Sequence, residues 1–220
     1  MENQKKPKGK KAQTDLVHAY REYVLMEGKR PATVFKFCKE LGITESEFYQ
    51  QYASFDALEK AIWAGYVTQT RQKMEADEAY VAFSAREKIL TFYFMLAEQL
   101  KSDRSFVLHQ LGSIKTPAVT PVCLKAFKRA FEEWINVVLA EGKSTGEIAK
   151  RPYLENQYAN VFWFHMMFIL QFWAHDESAG FEKTDVAIEK SVTLAFDLIG
   201  KGVLDNALDF GKFLYQHSKN

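Results

Sequence analysis

The chain has 220 residues, a formal net charge of +1, and 47% apolar residues. This length and apolar content suffice for one or two domains with a buried core, and they exclude a disordered chain. The near-neutral total charge favours neither a nucleic acid nor a membrane as partner, so the distribution of charge along the chain has to decide.

The N-terminus and the cysteines indicate the cellular compartment of the protein and whether it holds disulfides or a metal ion. The opening residues MENQKKPKGKK are polar and basic, which is unlike a secretory signal. The two cysteines, Cys38 and Cys123, lie among apolar residues on predicted helices, so neither a disulfide framework nor a metal site is predicted. The sequence therefore predicts a cytoplasmic protein without a metal or other cofactor.

Residues 1–14 form a basic tail with five lysines and one glutamate. Lys10 and Lys11 are its candidate DNA contacts. Such a tail can follow phosphates or enter a minor groove. It is equally compatible with a disordered segment that only increases solubility, and the sequence leaves both interpretations open.

Three predicted helices follow the tail. The first spans residues 15–28, where apolar residues recur at helical spacing before Gly28 and Pro31 interrupt it. The second opens near Thr33 and stops at Gly42. The third covers residues 44–52, and Thr44 with Glu47 forms a capping box at its start. Two helices joined by a glycine-containing turn are how many regulators place a recognition helix in the DNA major groove.

The segment from residue 33 to residue 58 resembles the helix-turn-helix of the TetR family of transcriptional regulators. The resemblance covers residues 15 to 67 and rests on a threonine, an apolar–small pair, a glycine, an apolar residue, a hydroxyl residue, an aromatic cluster and a leucine. These places are held by Thr33, Phe37 with Cys38, Gly42, Ile43, Thr44, Phe48 with Tyr49, Tyr52, Ser54 and Leu58. The resemblance implies a homodimer that binds operator DNA and is released by an apolar ligand. It places DNA contacts at Thr33, Thr44, Glu45, Ser46, Tyr49 and Tyr52.

The charge of this segment opposes DNA binding. Residues 15–67 carry six basic and eight acidic side chains, a net charge of −2, although phosphate contacts supply most non-specific affinity. Glu45 and Glu47 stabilise the start of their helix but repel phosphate. Family members often carry a lysine just before the fourth helix, and this chain has Phe55 there. The motif therefore either binds DNA or keeps the helix-turn-helix fold without binding DNA.

The rest of the chain is predicted to be helical throughout, which makes the fold class all-α. A connecting helix spans residues 56–79, opened by Asp56. Further helices are predicted over 84–102 (with a Ser84–Glu87 capping box), 104–111, 122–140, 152–175 and from 184, with a break near residues 200–202. Residues 15–67 form the predicted helix-turn-helix domain, and residues 68–220 form the predicted ligand-binding and dimerisation domain.

Aromatic residues are abundant in this second domain and allow two interpretations. They fill a core and a dimer face, or some of them line a cavity for an apolar ligand. The run from Val161 to Leu170 is shorter than a membrane span and is interrupted by His165. His165 is either a hydrogen-bonded core residue or a contact for a ligand head group. The candidate ligand-binding residues are Phe92, Leu96, His109, Phe127, Phe131, Trp134, Phe162, His165 and Met166.

Two functions remain after the search for catalytic motifs. The sequence has no glycine-rich phosphate loop, no nucleophile elbow and no metal-ligand spacing, so a non-enzymatic protein is predicted. The first hypothesis is a TetR-like regulator. The second is a TetR-fold lipid-binding protein with a vestigial helix-turn-helix, because the chain also looks somewhat like the TetR-fold accessory protein of ubiquinone biosynthesis.

Overall fold

The computed structural model describes residues 15–112, 120–151, 154, 157–200, 202, 210, 213 and 214. The basic tail with Lys10 and Lys11 lies outside the described residues, as does most of the chain after Gly200. Over the described ranges the ordered elements are helices, with no strand, which confirms the all-α prediction. The chain forms two compact units, the first ending at Leu58 and the second beginning at Glu59.

From residue 15 onward, the first unit contains three helices and the start of a fourth. Helix α1 spans Leu16–Glu27, α2 spans Val34–Leu41 and α3 spans Glu45–Tyr49. Helix α4, Phe55–Glu75, begins here and continues into the second unit. The predicted domain boundary at residues 67 and 68 lies further along α4, and the assignment of one function to each domain stays a prediction.

The helix ends of the first unit are set by local sequence. Gly42 adopts φ +67° after α2, and the Ile43 N–H donates to the Cys38 carbonyl at 3.0 Å, which satisfies an otherwise orphaned helix-end group. Thr33 accepts from the Lys36 N–H at the start of the same helix. The predicted cap at Asp56 is wrong: α4 starts one residue earlier, and the Ser54 hydroxyl accepts from the Ala57 N–H at 3.2 Å.

Four aromatic rings form the core of the first unit. Phe55 lies 5.4 Å from Tyr20, 5.6 Å from Phe37 and 5.5 Å from Phe48, measured between ring centroids. All four side chains are buried. Edge-to-face and offset rings add a specific attraction to the hydrophobic burial. Phe55 is therefore a core residue, which explains in physical terms why a lysine does not stand at this position.

Among its described residues, the second unit contains five further α-helices. They are α5 (Ala85–Ser102), α6 (Arg104–Gly112), α7 (Lys125–Thr145), α8 (Tyr158–Ala174) and α9 (Glu182–Ile199). Short 3₁₀ turns stand at Glu78–Ala82, Val122–Leu124 and Ala179–Phe181. Helices α5, α7, α8 and α9 pack against one another around the core. None of the described helices is long and apolar enough to cross a membrane.

Several predicted boundaries differ from the structure: α3 ends at Tyr49 rather than near residue 52, and α7 begins at Lys125 rather than near residue 122. Helix α4 ends at Glu75 rather than near residue 79, and α7 continues to Thr145 rather than ending near residue 140. Helix α8 begins at Tyr158 rather than near residue 152, which itself lies outside the described residues. Before α8, Leu154 and Gln157 each make a turn-type hydrogen bond to the residue three positions earlier. The predicted break after Ile199 is confirmed by the extended conformation of Gly200.

Both ends of α9 are held by buried charged side chains. The carboxylate of Asp176 accepts from the N–H and the hydroxyl of Thr184, at 2.8 and 2.7 Å. At the other end, the Arg151 guanidinium donates to the carbonyls of Leu198, Ile199 and Gly200. A negative charge near the helix start and a positive charge at its end also suit the helix dipole. These contacts fix the position of α9 beside α8.

Candidate nucleic-acid interface and ligand site

The predicted DNA-contacting residues lie at the start of α2, at the start of α3, on α3 and just after it. Thr33, Thr44, Ser46 and Tyr49 are exposed, and the Tyr49 side chain remains 52% exposed even though its ring packs edge-on to Phe48 at 5.6 Å. Glu45 and Tyr52 are half-buried. Ser46 and Tyr49 are therefore the exposed members of the predicted set on α3, where Glu47 is exposed as well, and DNA contact by any of the six stays a prediction.

The predicted capping box at the start of α3 is confirmed. One carboxylate oxygen of Glu47 accepts from the Thr44 N–H at 2.7 Å and from the Thr44 hydroxyl at 2.8 Å, while the Glu47 N–H donates to Thr44 Oγ1 at 3.2 Å. Since the hydroxyl proton is already donated to Glu47, Thr44 would have to break this bond to donate to a phosphate. The cap thus stabilises α3 and keeps the Thr44 hydroxyl proton bonded to Glu47.

The electrostatic environment of α3 is negative. Burial raises the pKa of the Cys38 thiol, and the charges of Glu45 and Glu47 raise it further. Burial also raises the pKa of Tyr52, with a smaller contribution from Asp15. The charges of Glu45 and Glu47 that disfavour the thiolate of Cys38 would also repel a phosphate near the start of α3. Two of the eight acidic side chains counted in the sequence therefore lie in the first turn of α3.

Arg30 is one of the six basic residues counted in the sequence, but its position beside Phe55 and Asp56 was not predicted. Its guanidinium lies 5.7 Å from the ring centroid of Phe55 and pairs with Asp56 at 2.7 Å. About half of each charged side chain remains exposed, so the pair is screened by water and holds Arg30 only weakly. Arg30 therefore places a positive charge next to the position where TetR-like chains often carry lysine. The only sequence signal was the turn around Pro31, which we interpreted as a helix break.

We expect Thr44→Ala to lower the free energy of unfolding by about 1 kcal/mol, the usual cost of removing an N-cap side chain. The reason is loss of the two bonds between the Thr44 hydroxyl and Glu47. Urea denaturation followed by circular dichroism measures the change. Ser46→Ala, at the second residue of α3 and also exposed, is the control and should change stability by less. Equal effects of the two changes would contradict a stabilising cap.

The predicted ligand-binding residues lie mainly in the core of the second unit. The Phe92 and Trp134 rings stack at 4.2 Å, and Phe131 lies within 6 Å of both. The apolar members of the predicted set are buried, and His109 is half-buried. Phe162 contacts Phe196 of α9 at 6.4 Å. Their ligand-binding role stays a prediction, and core packing accounts for the contacts that the structure contains.

His165 joins three helices through a chain of hydrogen bonds. Its Nδ1 lies 2.9 Å from the Tyr93 hydroxyl on α5, and its Nε2 lies 2.7 Å from the Ser191 hydroxyl on α9. Because Ser191 donates to the Ala187 carbonyl, His165 must donate from Nε2 and accept at Nδ1. Burial lowers the pKa of His165 to about 4. The ring is neutral near pH 7, and both of its nitrogens are occupied within the protein.

The indole N–H of Trp63 is an unusual polar group in the core of the second unit. Its indole N–H is buried and has no hydrogen-bond acceptor among the described residues. The ring packs edge-on against Phe127 at 5.7 Å. An unpaired buried donor is uncommon, and a bound molecule or an ordered water would satisfy it.

The structure contains a cavity between α6 and α8 that was not predicted from the sequence. Its volume is about 690 Å³, which is in the range of small-molecule sites. The lining combines apolar side chains with two polar ones: Leu108, Leu111, Gly112, Phe164, Met167, Phe168, Leu170, Gln171, Ala174 and His175. Helical spacing along α8 was the available signal, but spacing does not tell which side of an all-apolar helix faces a cavity. Within the described ranges no cluster of side chains is arranged to hold a metal ion.

Comparison with known families decides the classification. The family model for the tetracyclin repressor-like C-terminal domain matches residues 88–214, more than half of the chain. The chain belongs to the TetR family. This match lies in the helical domain and is independent of the α2–turn–α3 motif that pointed to the same family. No curated protein matches this TetR-family chain significantly in sequence.

Two solved structures share the fold of this TetR-family protein. A protein of unknown function from Rhodococcus sp. RHA1 has a TM-score of 0.58 at 13% identity, covering 90% of this chain and 100% of that chain. A Shewanella sp. PV-4 protein described as a TetR family transcription regulator has a TM-score of 0.55 at 10% identity, covering 83% of this chain and 95% of that chain. At these identities the similarity shows the fold alone.

Proposed function

We propose that this TetR-family protein is a non-enzymatic transcription regulator that binds operator DNA as a homodimer and is released by an apolar small molecule. The observation that carries the proposal is the exposed α3 segment with Ser46 and Tyr49 on a chain of this family. Dimerisation would place two such segments on successive major grooves, and a ligand that favours another spacing would release the DNA.

An apolar face on α8 and α9 supports the homodimer. Val161, Phe164 and Phe168 of α8 are 50%, 71% and 48% exposed, and Leu194 of α9 is 59% exposed. Helix α8 carries no Asp, Glu, Lys or Arg along its 17 residues. A surface helix without charge, with large exposed aromatic side chains, is typical of a subunit interface. We call the face formed by these four residues the α8–α9 face.

The direct test of DNA binding is selection of duplexes from a random library, followed by fluorescence anisotropy at two salt concentrations. We expect a near-palindromic site that binds more tightly than random DNA, with affinity that falls as salt rises. Binding no tighter than to random DNA at low salt would contradict the proposal.

A charge substitution on α3 tests whether this helix meets the DNA. Glu47→Gln should raise operator affinity about threefold to tenfold at low salt, because it removes a negative charge near phosphates while an amide can still complete the capping box. Glu177→Gln, the same charge change in the segment between α8 and α9, is the matched control and should leave affinity unchanged. Equal responses of the two variants would show that α3 does not approach DNA.

A second function is favoured by the negative environment of α3 and by the occupied hydroxyl of Thr44. In this alternative the protein binds a lipid or isoprenoid, and the helix-turn-helix is vestigial. Mass spectrometry of the denatured protein would then reveal a co-purified lipid. A ligand-free preparation that binds an operator tightly would reject it.

A further inference from the structure

We propose that Arg30, in the turn between α1 and α2, contacts a DNA phosphate, and that Asp56 weakens DNA binding by holding Arg30 in the unbound protein. The inference rests on the proposed function, because it adds a phosphate contact and an internal competitor to the proposed DNA-binding unit. Its starting point is the ion pair of 2.7 Å between the Arg30 guanidinium and the Asp56 carboxylate.

The guanidinium of Arg30 lies on a rigid support. It is 5.7 Å from the ring centroid of Phe55, and this buried ring packs against three other aromatic side chains of the first unit. The attraction between the cation and a fixed ring restricts where the guanidinium can lie. A side chain that is positioned before it meets a partner loses less conformational entropy on binding.

The backbone on both sides of Arg30 is restricted as well. Gly28 ends α1 with φ +64°, and Pro31, which is buried, follows Arg30 directly. A proline fixes its own φ and disfavours the helical region for the residue before it. Arg30 therefore does not continue α1, and its side chain reaches the first turn of α4 instead.

The partner of Arg30 can be exchanged for a phosphate. The Arg30 and Asp56 side chains are 48% and 53% exposed, so water screens their attraction and the pair is weak. A DNA phosphate forms charge-assisted hydrogen bonds with a guanidinium, and its neutralisation also releases condensed counterions. Asp56 offers no such release. A phosphate therefore displaces Asp56 from Arg30 when DNA binds.

The charge balance of the first unit makes this exchange matter. Residues 15–67 carry six basic and eight acidic side chains, so each cation that reaches a phosphate is a large part of the favourable electrostatic attraction. Asp56 opposes binding in two ways, because it holds Arg30 and because its own charge repels phosphate. A test has to separate these two effects.

The first experiment measures binding to a fluorescein-labelled duplex of random sequence by anisotropy across a salt series, because phosphate contacts carry no sequence information. Arg30→Gln should weaken binding about tenfold at low salt and make the slope of log K against log salt shallower by about 1 per subunit. Arg30→Lys keeps the charge but loses the planar fork. It should keep the slope and bind about threefold more weakly than the unchanged protein.

The matched control for charge is Lys29→Gln, which makes the same charge change at the preceding, exposed residue. It should change the slope by less than half as much as Arg30→Gln does. Equal effects of the two variants would overturn the contact, because they would report only the net charge of the unit. An unchanged slope in Arg30→Gln would overturn it as well.

The second experiment separates the hold on Arg30 from simple repulsion of phosphate by Asp56. Asp56→Asn should raise affinity about fivefold in the unchanged background but less than about twofold in Arg30→Gln, where only the repulsion is left to remove. The cap of α4 stays in place, since it comes from Ser54. Equal effects of Asp56→Asn in the two backgrounds would overturn the hold.

The matched control for this second change is Glu40→Gln on α2. It removes an exposed carboxylate that pairs with Lys36 at 3.8 Å, and it should raise affinity by less than about twofold. A rise as large as that of Asp56→Asn would show that any carboxylate of the unit acts alike, and it would overturn the special role of Asp56.

The outcomes keep this inference distinct from the proposed function. A protein that selects an operator while its Arg30→Gln variant binds DNA unchanged would overturn the inference and keep the regulator proposal. A protein that binds random DNA through Arg30 without preferring any site would keep the phosphate contact and contradict operator binding. Absence of binding to any duplex at low salt would contradict both.

Discussion

A protein that lacks residues 1–14 is expected to bind operator DNA about 100-fold more weakly than the full-length protein at 0.1 M salt. The tail carries five lysines, whereas residues 15–67 have a net charge of −2. Each phosphate that a lysine neutralises releases condensed counterions, so the tail can supply the affinity that the acidic first unit does not. The slope of log K against log salt should become shallower by about 3 to 4 per subunit.

Two further variants test whether the DNA affinity supplied by the tail depends on its charge or on the order of its residues. Replacement of all five lysines by glutamine should reproduce the truncation. A tail with the same composition in a different order should bind like the original, because phosphate contacts carry little sequence information. Anisotropy titrations across a salt series measure all three proteins. An unchanged affinity after truncation would contradict the role of the tail and leave it as a solubilising segment.

His165→Leu is expected to lower the free energy of unfolding by about 2–3 kcal/mol at pH 7.5. The variant removes the acceptor of the Tyr93 hydroxyl and the donor to Ser191, and it leaves the buried Tyr93 hydroxyl without a partner. Tyr93→Phe in the same background removes this unpaired group. The double variant should therefore recover about 1 kcal/mol relative to His165→Leu alone.

The same residue gives a pH dependence with a defined sign. The pKa of His165 is about 4 in the folded protein and near 6.5 when exposed, so the unfolded chain binds more protons between these values. Stability is then complete above pH 6.5 and falls by about 3 kcal/mol as the pH drops to 4. Urea denaturation across this range should show the loss in the unchanged protein and a smaller loss in His165→Leu. Parallel curves for the two proteins would contradict a neutral, buried His165.

Local signals predicted the helix ends most reliably. Gly42, the Thr44–Glu47 pair and the Ser84–Glu87 pair act through neighbours within a few residues, and the structure confirms both capping boxes. Asp56 was predicted wrongly because Ser54 and Asp56 are both good caps, and the choice between them depends on where the Phe55 ring packs. Tertiary packing therefore determined which of the two residues caps α4.

Contacts between distant residues could not be read from the sequence. Tyr93 and Ser191 lie 72 and 26 positions from His165, and nothing local identifies them as its partners. In the same way, an apolar side chain at helical spacing suits a core, a cavity or an interface alike. Composition thus predicted that the second domain is aromatic and packed, whereas the cavity beside Leu108 required the positions of α6 and α8 in space.

The hydrogen bonds of His165 also restrict the motions that α8 can make. Both ring nitrogens are bonded, one to α5 and the other to α9, so turning α8 about its own axis would break two directional bonds inside a poorly hydrated region. Sliding or tilting α8 together with its two neighbours breaks neither. Helices α5, α8 and α9 are therefore expected to move as one block, and slow hydrogen exchange of the backbone amides around His165 should persist whether or not the protein is bound to DNA.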